Sequence, residues 1–281
     1  MSNSTPQEPQ FDPQLLDSIK IVLCQTSHPG NIGAAARAMK TMGLKHLVLV
    51  KPKDFPSEEA MVRSSGALDV LENAQVVETV EEALADCRLI IGTSSRNRAL
   101  PWPLIEPREM GELIKEQKEA RPVAIMFGRE STGLLNEELQ LCHYHVNIPA
   151  NPEYMSLNLA SAVQLVAYEI RLASKITAES VGEDSHSIDG DSDYSSTHGV
   201  EADLEHDKDS EQLASFEEVD GLYNHLESAM NKTDFYNPEQ PKLLPARIRR
   251  ILAKARLNKG EVNILRGFLS SIDKYIKRHV K

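Results

Sequence analysis

The sequence predicts an α/β domain with a mostly parallel sheet, followed by a small helical extension. Over residues 19–175, short apolar runs alternate with amphipathic segments, which is typical of repeated strand and helix units. Over residues 213–281, apolar residues recur only at helical spacing. With 281 residues, of which 41% are hydrophobic, the chain can bury a sizeable core.

The elements of the α/β domain follow in chain order from this periodicity. We predict strands over residues 19–24, 46–50, 75–78, 88–92, 123–127 and 143–148. We predict helices over residues 32–42, 80–85, 108–119, 134–141 and 157–174. The last helix carries an apolar stripe, which is expected to line the core or a subunit contact: Leu159, Val163, Val166 and Ile170.

The start of the chain and its cysteines narrow the class of protein. Residues 1–18 are polar and contain three prolines, so we expect a disordered N-terminus and no signal peptide. No apolar run approaches the ~18 residues that cross a bilayer, so we expect a cytoplasmic protein with no membrane partner. The three cysteines, Cys24, Cys87 and Cys142, contain no CxxC pair and indicate neither a disulfide framework nor a zinc site. His143 and His145 have no third ligand nearby, so we expect no structural metal.

The net charge of −11 is unevenly distributed. Residues 177–212 carry 12 acidic residues and one lysine, and we predict a disordered acidic linker over residues 176–212. Residues 242–281 carry 12 basic residues against two acidic ones, so the extension over residues 213–281 is expected to bind a polyanion such as RNA. The linker either competes weakly with RNA for this basic surface or serves only as a spacer.

The first candidate site follows the strand over residues 19–24. Asn31 is a good helix N-cap. Gly33 and Arg37 lie four residues apart on one helix face, so the missing side chain at Gly33 is expected to leave room for a ligand beside the guanidinium. The alternative is an ordinary capped helix with a surface arginine.

Two further candidate loops follow predicted strands. Residues 128–133 read GRESTG, whose glycines permit close backbone approach at the carboxyl end of a strand, where open α/β sheets bind ligands. The loop after Ile148 leads to Ser156 and Asn158, either of which can cap the next helix or present polar groups. A plain turn and a helix-capping connection are the respective alternatives.

Taken in order, the three loops resemble the motifs of the SPOUT RNA methyltransferases: Asn31-x-Gly33-x-x-x-Arg37, Gly128-x-Glu130-x-x-Gly133, and Ile148-Pro with Ser156-Leu-Asn158. The resemblance covers about residues 19–173. It is nearest to the bacterial tRNA 2′-O-methyltransferases that act on cytidine or uridine 32 of the anticodon loop, whose C-terminal extension the last segment also resembles. It implies a trefoil knot in the C-terminal part of the domain, a homodimer, S-adenosylmethionine as cofactor and tRNA as partner.

The resemblance also implies roles for individual residues. The cofactor site would contain Thr93, Ser94, Ser95, Gly128, Ile148, Met155, Ser156 and Leu157. The catalytic site would contain Arg37, Asn31 and Ser156, and Glu130 is expected to organise a loop. RNA contacts are expected at Arg37 and Arg129 and, from the positive charge of the extension, at Arg247, Arg249, Arg250, Lys254 and Arg256. The alternatives are an rRNA 2′-O-methyltransferase and a non-catalytic RNA-binding protein on the same scaffold.

Overall fold

The computed structural model describes residues 10–94, 102–176, 209–240 and 242–279. Within these ranges, seven strands form one sheet: β1 (Ile19–Cys24), β2 (His46–Val50), β3 (Gln75–Val77), β4 (Leu89–Thr93), β5 (Leu104–Ile105), β6 (Val123–Phe127) and β7 (Tyr144–Val146). Their order across the sheet is β3-β2-β1-β6-β4-β7-β5, and every pairing is parallel. The predicted parallel α/β class is therefore confirmed, while the trefoil knot stays a prediction.

Helices cover both faces of the sheet. In the α/β domain they are α1 (Pro13–Asp17), α2 (Pro29–Met42), α3 (Glu58–Ser64), α4 (Leu68–Glu72), α5 (Val80–Leu84), α6 (Pro107–Glu116), α7 (Asn136–Leu139) and α8 (Leu159–Ala173), with a 3-10 turn at Lys118–Ala120. The side chains of β1 alternate between two buried clusters: Ile21 and Leu23 join the cluster under α2 and α8, whereas Val22 and Cys24 join the one under α5 and α7. The sheet is thus buried on both sides, as expected for parallel strands.

The apolar stripe of α8 lies in the core of its own subunit. Leu159 is 7% exposed and Val163, Val166 and Ile170 are fully buried. These side chains pack with the core cluster under α2, so the stripe lines the core, and of the two predicted locations the subunit contact is not the one it occupies. A subunit contact, if α8 makes one, must use a different face of the helix.

Several short elements were missed by the sequence analysis. The prediction of disorder over residues 1–18 is wrong for α1, because Asp12 caps this helix and Leu15 and Leu16 are buried against the sheet. Helices α3 and α4 and strand β5 were also missed, since segments of two to seven residues are too short to show a periodic pattern. The strands over residues 19–24, 46–50 and 123–127 are confirmed at both ends.

The extension contains three helices, α9 (Phe216–Lys232), α10 (Leu244–Ala255) and α11 (Lys259–His279), around a small apolar cluster. It is tied to the α/β domain through the backbone: Phe216 donates to the carbonyl of Cys87 at 2.8 Å, and Glu217 to that of Ala85 at 3.0 Å. Residues 177–208 lie outside the described ranges. The predicted linker is wrong over residues 209–212, where Asp209 forms an ion pair with Lys259 at 2.9 Å.

None of the helices in the described ranges has the length and apolar character needed to cross a membrane.

Candidate functional site

A cleft opens at the carboxyl ends of three neighbouring strands, β6, β4 and β7. We call it the strand-end cleft; its volume is about 340 Å³. Seven predicted cofactor residues line it: Thr93, Ser94, Gly128, Ile148, Met155, Ser156 and Leu157. The eighth, Ser95, lies outside the described residues. The loops meet because adjacent parallel strands end at the same edge of the sheet.

Hydrogen bonds hold the loop after β4 against its neighbours. The hydroxyl of Thr93 donates to the carbonyl of Met126 at 2.9 Å, which ties the end of β4 to β6. The backbone of Ser94 donates to Val146, and its carbonyl accepts from the side chain of Asn147, both at 2.9 Å. The apolar walls of the cleft come from Phe127, Leu134, Val146, Ile148 and Leu159. The cleft therefore has a fixed polar end and an apolar slot.

The glycines of the loop after β6 serve the loop itself. Arg129 and Gly133 exchange two backbone hydrogen bonds of 3.2 and 2.8 Å, which close a tight turn. A Cβ atom at Gly128 would lie 1.9 Å from the carbonyl carbon of Gly133, and Gly133 has a φ of +70°. The glycines were predicted to let the backbone come close to a ligand. In the structure, they let the backbone at Gly133 come close to Gly128 within the same loop.

The guanidinium of Arg129 is mostly buried and is paired within the protein. Its guanidinium forms a two-pronged ion pair with Glu138 at 2.9 Å for both prongs, and its Nε donates to Gln25 at 3.1 Å. The side chains of Arg129 and Glu138 are only 15% and 10% exposed. The donors of Arg129 brace the loop after β6, which argues against the predicted contact with RNA.

Glu130 joins the loop after β6 to the start of α2. Its carboxylate accepts hydrogen bonds from the backbone and hydroxyl of Ser27, the backbone of His28 and the side chain of Asn31, at 2.9–3.2 Å. Burial acts to raise the pKa of this carboxyl, but the hydrogen bonds from Asn31 and Ser27 outweigh burial and lower the pKa to about 2. So acidic a group is a poor proton acceptor at neutral pH, which favours the predicted organising role.

Asn31 acts as a bridge and not as the helix cap. Helix α2 begins at Pro29, and its cap is His28, whose Nδ1 accepts from the backbone of Gly30 at 3.2 Å. Asn31 donates to Glu130 and accepts from the side chain of Asn158 at 3.0 Å. Asn158 in turn caps α8. The sequence analysis missed this chain because its members lie about 100 residues apart.

Arg37 lies on the exposed face of α2 and forms no hydrogen bond or ion pair through its guanidinium with any described residue. The space that Gly33 was predicted to leave for a ligand is filled by α3, since a Cβ atom there would lie 2.1 Å from the carbonyl oxygen of Ala60. That prediction is wrong. Arg37 itself is open to solvent, on the same helix as Asn31.

The five basic residues predicted to bind RNA in the extension fall into two groups. Arg247 and Lys254 are exposed. The other three have partners within the protein. Arg249 pairs with Asp220 at 2.8 Å, and its guanidinium carbon lies 3.8 Å from the centre of the Tyr223 ring. The guanidinium carbon of Arg250 lies 5.3 Å from the centre of the Trp102 ring, and Arg256 donates a hydrogen bond to the side chain of Gln117 at 3.0 Å. For Arg249 and Arg256 these contacts argue against the predicted binding of RNA, because their guanidinium groups are engaged in packing.

The histidines and cysteines have structural surroundings. His143 accepts from the backbone of Ile90 at 3.0 Å, and burial lowers its pKa to about 3, so it is neutral. His145 is stacked on Trp102. Burial raises the pKa of the Cys24 and Cys142 thiols and of Cys87, the last to about 12. Over the described ranges, His, Cys, Asp and Glu side chains form no group of three that could hold a metal ion.

Comparisons with known proteins match both parts of the chain. The profile of the SpoU rRNA methylase family matches residues 18–168, and that of the C-terminal domain of tRNA methyltransferase TrmJ matches residues 217–281. The tRNA (cytidine/uridine-2′-O-)-methyltransferase TrmJ of Photorhabdus laumondii is 47% identical and aligns with 94% of this chain and 100% of its own. The tRNA (cytidine/uridine/adenosine-2′-O-)-methyltransferase TrmJ of Pseudomonas aeruginosa is 45% identical, with 92% and 95% covered.

Among solved structures, the crystal structure of TrmJ from Z. mobilis ZM4 is similar to this fold with a TM-score of 0.73. It is 33% identical in sequence, and the match covers 90% of this chain and 98% of that one. The similarity therefore extends over the α/β domain and the extension together.

Proposed function

This chain belongs to the SpoU rRNA methylase family, within which it groups with the TrmJ tRNA methyltransferases, and on that premise we propose that it methylates the 2′-oxygen of a ribose in tRNA. The proposed target is cytidine or uridine 32 of the anticodon loop, and the proposed compartment is the cytoplasm. The observation that carries the proposal is the strand-end cleft, which seven of the residues named for the cofactor line. Arg37, on the helix α2 that the Glu130 network ties to this cleft, is exposed and has no ion-pair partner among the described residues.

We propose S-adenosylmethionine as the methyl donor, held in the strand-end cleft. The cleft volume of about 340 Å³ falls within the range of small-molecule sites, and its apolar slot with a polar end suits an adenosine group. Polar contacts would come from Thr93, Ser94, Ser95 and Ser156. The apolar slot would be formed by Ile148, Met155 and Leu157, beside the backbone of Gly128. When bound, the cofactor supplies a methyl group on a sulfonium centre, ready for attack by an oxygen nucleophile.

Arg37 is proposed to act on the nucleophile through its charge. A guanidinium stays protonated at neutral pH, so it is a poor general base. Its five donors can stabilise negative charge that develops on the 2′-oxygen as the proton leaves, and can fix the neighbouring phosphate. The proton acceptor is that phosphate or water; a deprotonated Arg37 is the alternative. Ser156, which lines the cleft, and Asn31, which lines the adjoining cavity, are proposed to position the reacting groups.

A homodimer is proposed through the outer face of α8. Leu165, Tyr168 and Leu172 follow at helical spacing and are 42%, 46% and 39% exposed, while the opposite stripe of this helix is buried. The start of α8 lines the strand-end cleft through Leu159 and Ala162. A second subunit on this face would therefore lie close to the reacting groups.

The proposal is tested by incubating the protein with labelled S-adenosylmethionine and total tRNA and mapping the product. We expect label on the 2′-oxygen of a ribose at position 32. Cofactor binding without transfer would instead indicate a non-catalytic RNA-binding protein, and transfer to rRNA but not to tRNA would indicate the rRNA alternative.

A further inference from the structure

Helix α3 packs on α2 at a distance that a side chain at Gly33 would prevent. A Cβ atom there would lie 2.1 Å from the carbonyl oxygen of Ala60 and 2.9 Å from the Cβ atom of Arg63. Both distances are shorter than van der Waals contact, so any larger residue would force α3 away. Gly33 therefore allows α3 to place Arg63 directly against α2.

That position is beside Arg37. Arg37 lies one helical turn beyond Gly33 on the same face of α2, and Cβ atoms at this spacing are about 6 Å apart. The Cβ atoms of Arg37 and Arg63 are thus at most about 9 Å apart. Both side chains are exposed, and neither forms a hydrogen bond or ion pair with a described residue. Two arginine side chains therefore start from neighbouring points on the surface, and neither has an acidic partner among the described residues.

The carboxylates around this pair are engaged elsewhere. Glu59 faces His28 at 3.6 Å, Asp69 pairs with Lys40 at 2.8 Å, and Glu130 is held by its four donors. None of these carboxylates pairs with Arg37 or Arg63, so both guanidinium groups keep their donors available for an anion.

A cavity of about 380 Å³ opens next to Arg63. Its described lining contains no carboxylate: His28, Gly30, Asn31, Ala34, Arg63 and Asn158. It adjoins the strand-end cleft, because Asn31 binds Glu130 and Asn158 follows Leu157, and both Glu130 and Leu157 line that cleft. A polynucleotide whose ribose lies at the mouth of the strand-end cleft would reach this cavity.

We infer that Arg63 binds a phosphate of the tRNA backbone next to the methylated ribose, as the partner of Arg37; this inference rests on the proposed function. A ribose within the chain carries a phosphate on each side. One arginine contacts one phosphate and the second arginine the other, and the planar guanidinium suits two-pronged binding of phosphate oxygens. Arg63 is thereby a substrate-binding residue that contributes to tRNA affinity and not to the reactivity of the methyl group.

The test compares Arg63→Gln with Lys118→Gln. Lys118 is an exposed residue of the 3-10 turn that precedes β6, at the opposite end of that strand from the cleft, so both variants lose one positive charge. In steady-state methylation of tRNA, we expect Arg63→Gln to raise KM for tRNA about tenfold with kcat within about twofold of wild type. Lys118→Gln should change KM less than about twofold, and cofactor affinity should be unchanged in both.

The salt dependence adds a readout that a structural role would not move. Loss of one phosphate contact should reduce the slope of log affinity against log salt concentration by about 0.7 to 0.9. Arg63→Lys should recover part of the affinity, because it restores the charge without the planar fork. Equal KM values and salt slopes for Arg63→Gln and Lys118→Gln would overturn the inference.

Failure of the proposed function would be seen separately. Wild-type protein that transfers no methyl group to tRNA refutes the proposed function, whatever Arg63 does. Equilibrium binding of tRNA to the same variants still decides the role of Arg63 in that case: a Kd raised about tenfold supports it, and a Kd equal to that of wild type overturns it. The melting temperature of each variant checks that the exposed substitution leaves the fold intact.

Discussion

The loops around the strand-end cleft and the basic helices of the extension use charged groups for different ends. At the cleft, Glu130 accepts from a loop about 100 residues away, Glu138 braces the loop after β6 through Arg129, and Arg37 has no partner among the described residues. In the extension, Asp220 takes up Arg249, while Arg247 faces solvent. The comparison teaches that charge alone does not mark a binding residue; what matters is whether the charge already has a partner.

The most severe test of this comparison is Arg37→Ala. Removing a group that stabilises charge only during the reaction should lower turnover about 100-fold or more and leave cofactor affinity unchanged. Single-turnover methylation and calorimetric titration of S-adenosylmethionine measure the two effects. Arg37→Lys should not restore turnover, because a point charge cannot reproduce the planar fork. A folded Arg37→Ala protein with full activity would remove Arg37 from the reaction.

The extension should separate into binding and packing residues. The double variant Arg247→Gln, Lys254→Gln should weaken tRNA binding about tenfold without changing stability, because both side chains are exposed. Arg249→Gln should instead lower the free energy of unfolding by about 1–2 kcal/mol, since it loses an ion pair and a ring contact that are both partly buried. Filter binding and urea denaturation measure the two properties. If the double variant and Arg249→Gln changed tRNA affinity and the free energy of unfolding to the same extent, the distinction between binding and packing residues would be contradicted.

The network at the cleft predicts a particular acid sensitivity. The pKa of Glu130 is lowered from 4.5 to about 2, so its ionised form stabilises the folded state fully above pH 4.5, and this stabilisation is lost as the pH falls toward 2. Glu130→Gln should be less stable than wild type at pH 7 and should lose less stability between pH 4.5 and 2. Chemical denaturation at several pH values measures this difference. Parallel acid profiles would show that the carboxylate does not act through its charge.

The smallest expected effect concerns the acidic linker. Residues 177–208 carry ten acidic residues and one lysine close in sequence to the basic helices. Replacing them with a neutral Gly/Ser segment of equal length should tighten tRNA binding about two- to threefold at low salt, and the difference should vanish as screening increases. Cofactor binding should not change. Equal tRNA affinities across a salt titration would make the linker a spacer only.

Sequence reasoning placed the strands and the cleft because both depend on local patterns. Apolar runs located β1, β2 and β6 to the residue, and ligands of parallel sheets bind where strands end, so the loops after β6 and β7 could be named as candidates from the pattern. The residues after β4, and the individual cofactor contacts, came only from the family resemblance. The partners of individual charges could not be named. Glu138 is nine residues from Arg129 and Asp220 is 29 residues from Arg249, and only the tertiary fold brings each pair together.

Gly33 shows the same limit at the level of helix packing. Its spacing from Arg37 was visible in the sequence, but α3 is too short to be recognised by periodicity, so the glycine was expected to leave space for a ligand. The structure fills that space with the backbone of Ala60 and thereby places Arg63. The motif thus identified Gly33 correctly, but the need for a glycine there comes from α3, a segment that the motif does not contain.

The backbone hydrogen bonds from Phe216 and Glu217 make the extension part of the folding unit of the α/β domain. Detaching α9 would leave the carbonyls of Ala85 and Cys87 without these donors, and would uncover the apolar cluster against which Phe216 packs. The two parts should therefore unfold in one cooperative transition, and the amide protons of Phe216 and Glu217 should exchange with solvent as slowly as those of the central strands. A shortened chain that ends before α9 would lose stability in the very sheet that carries the strand-end cleft.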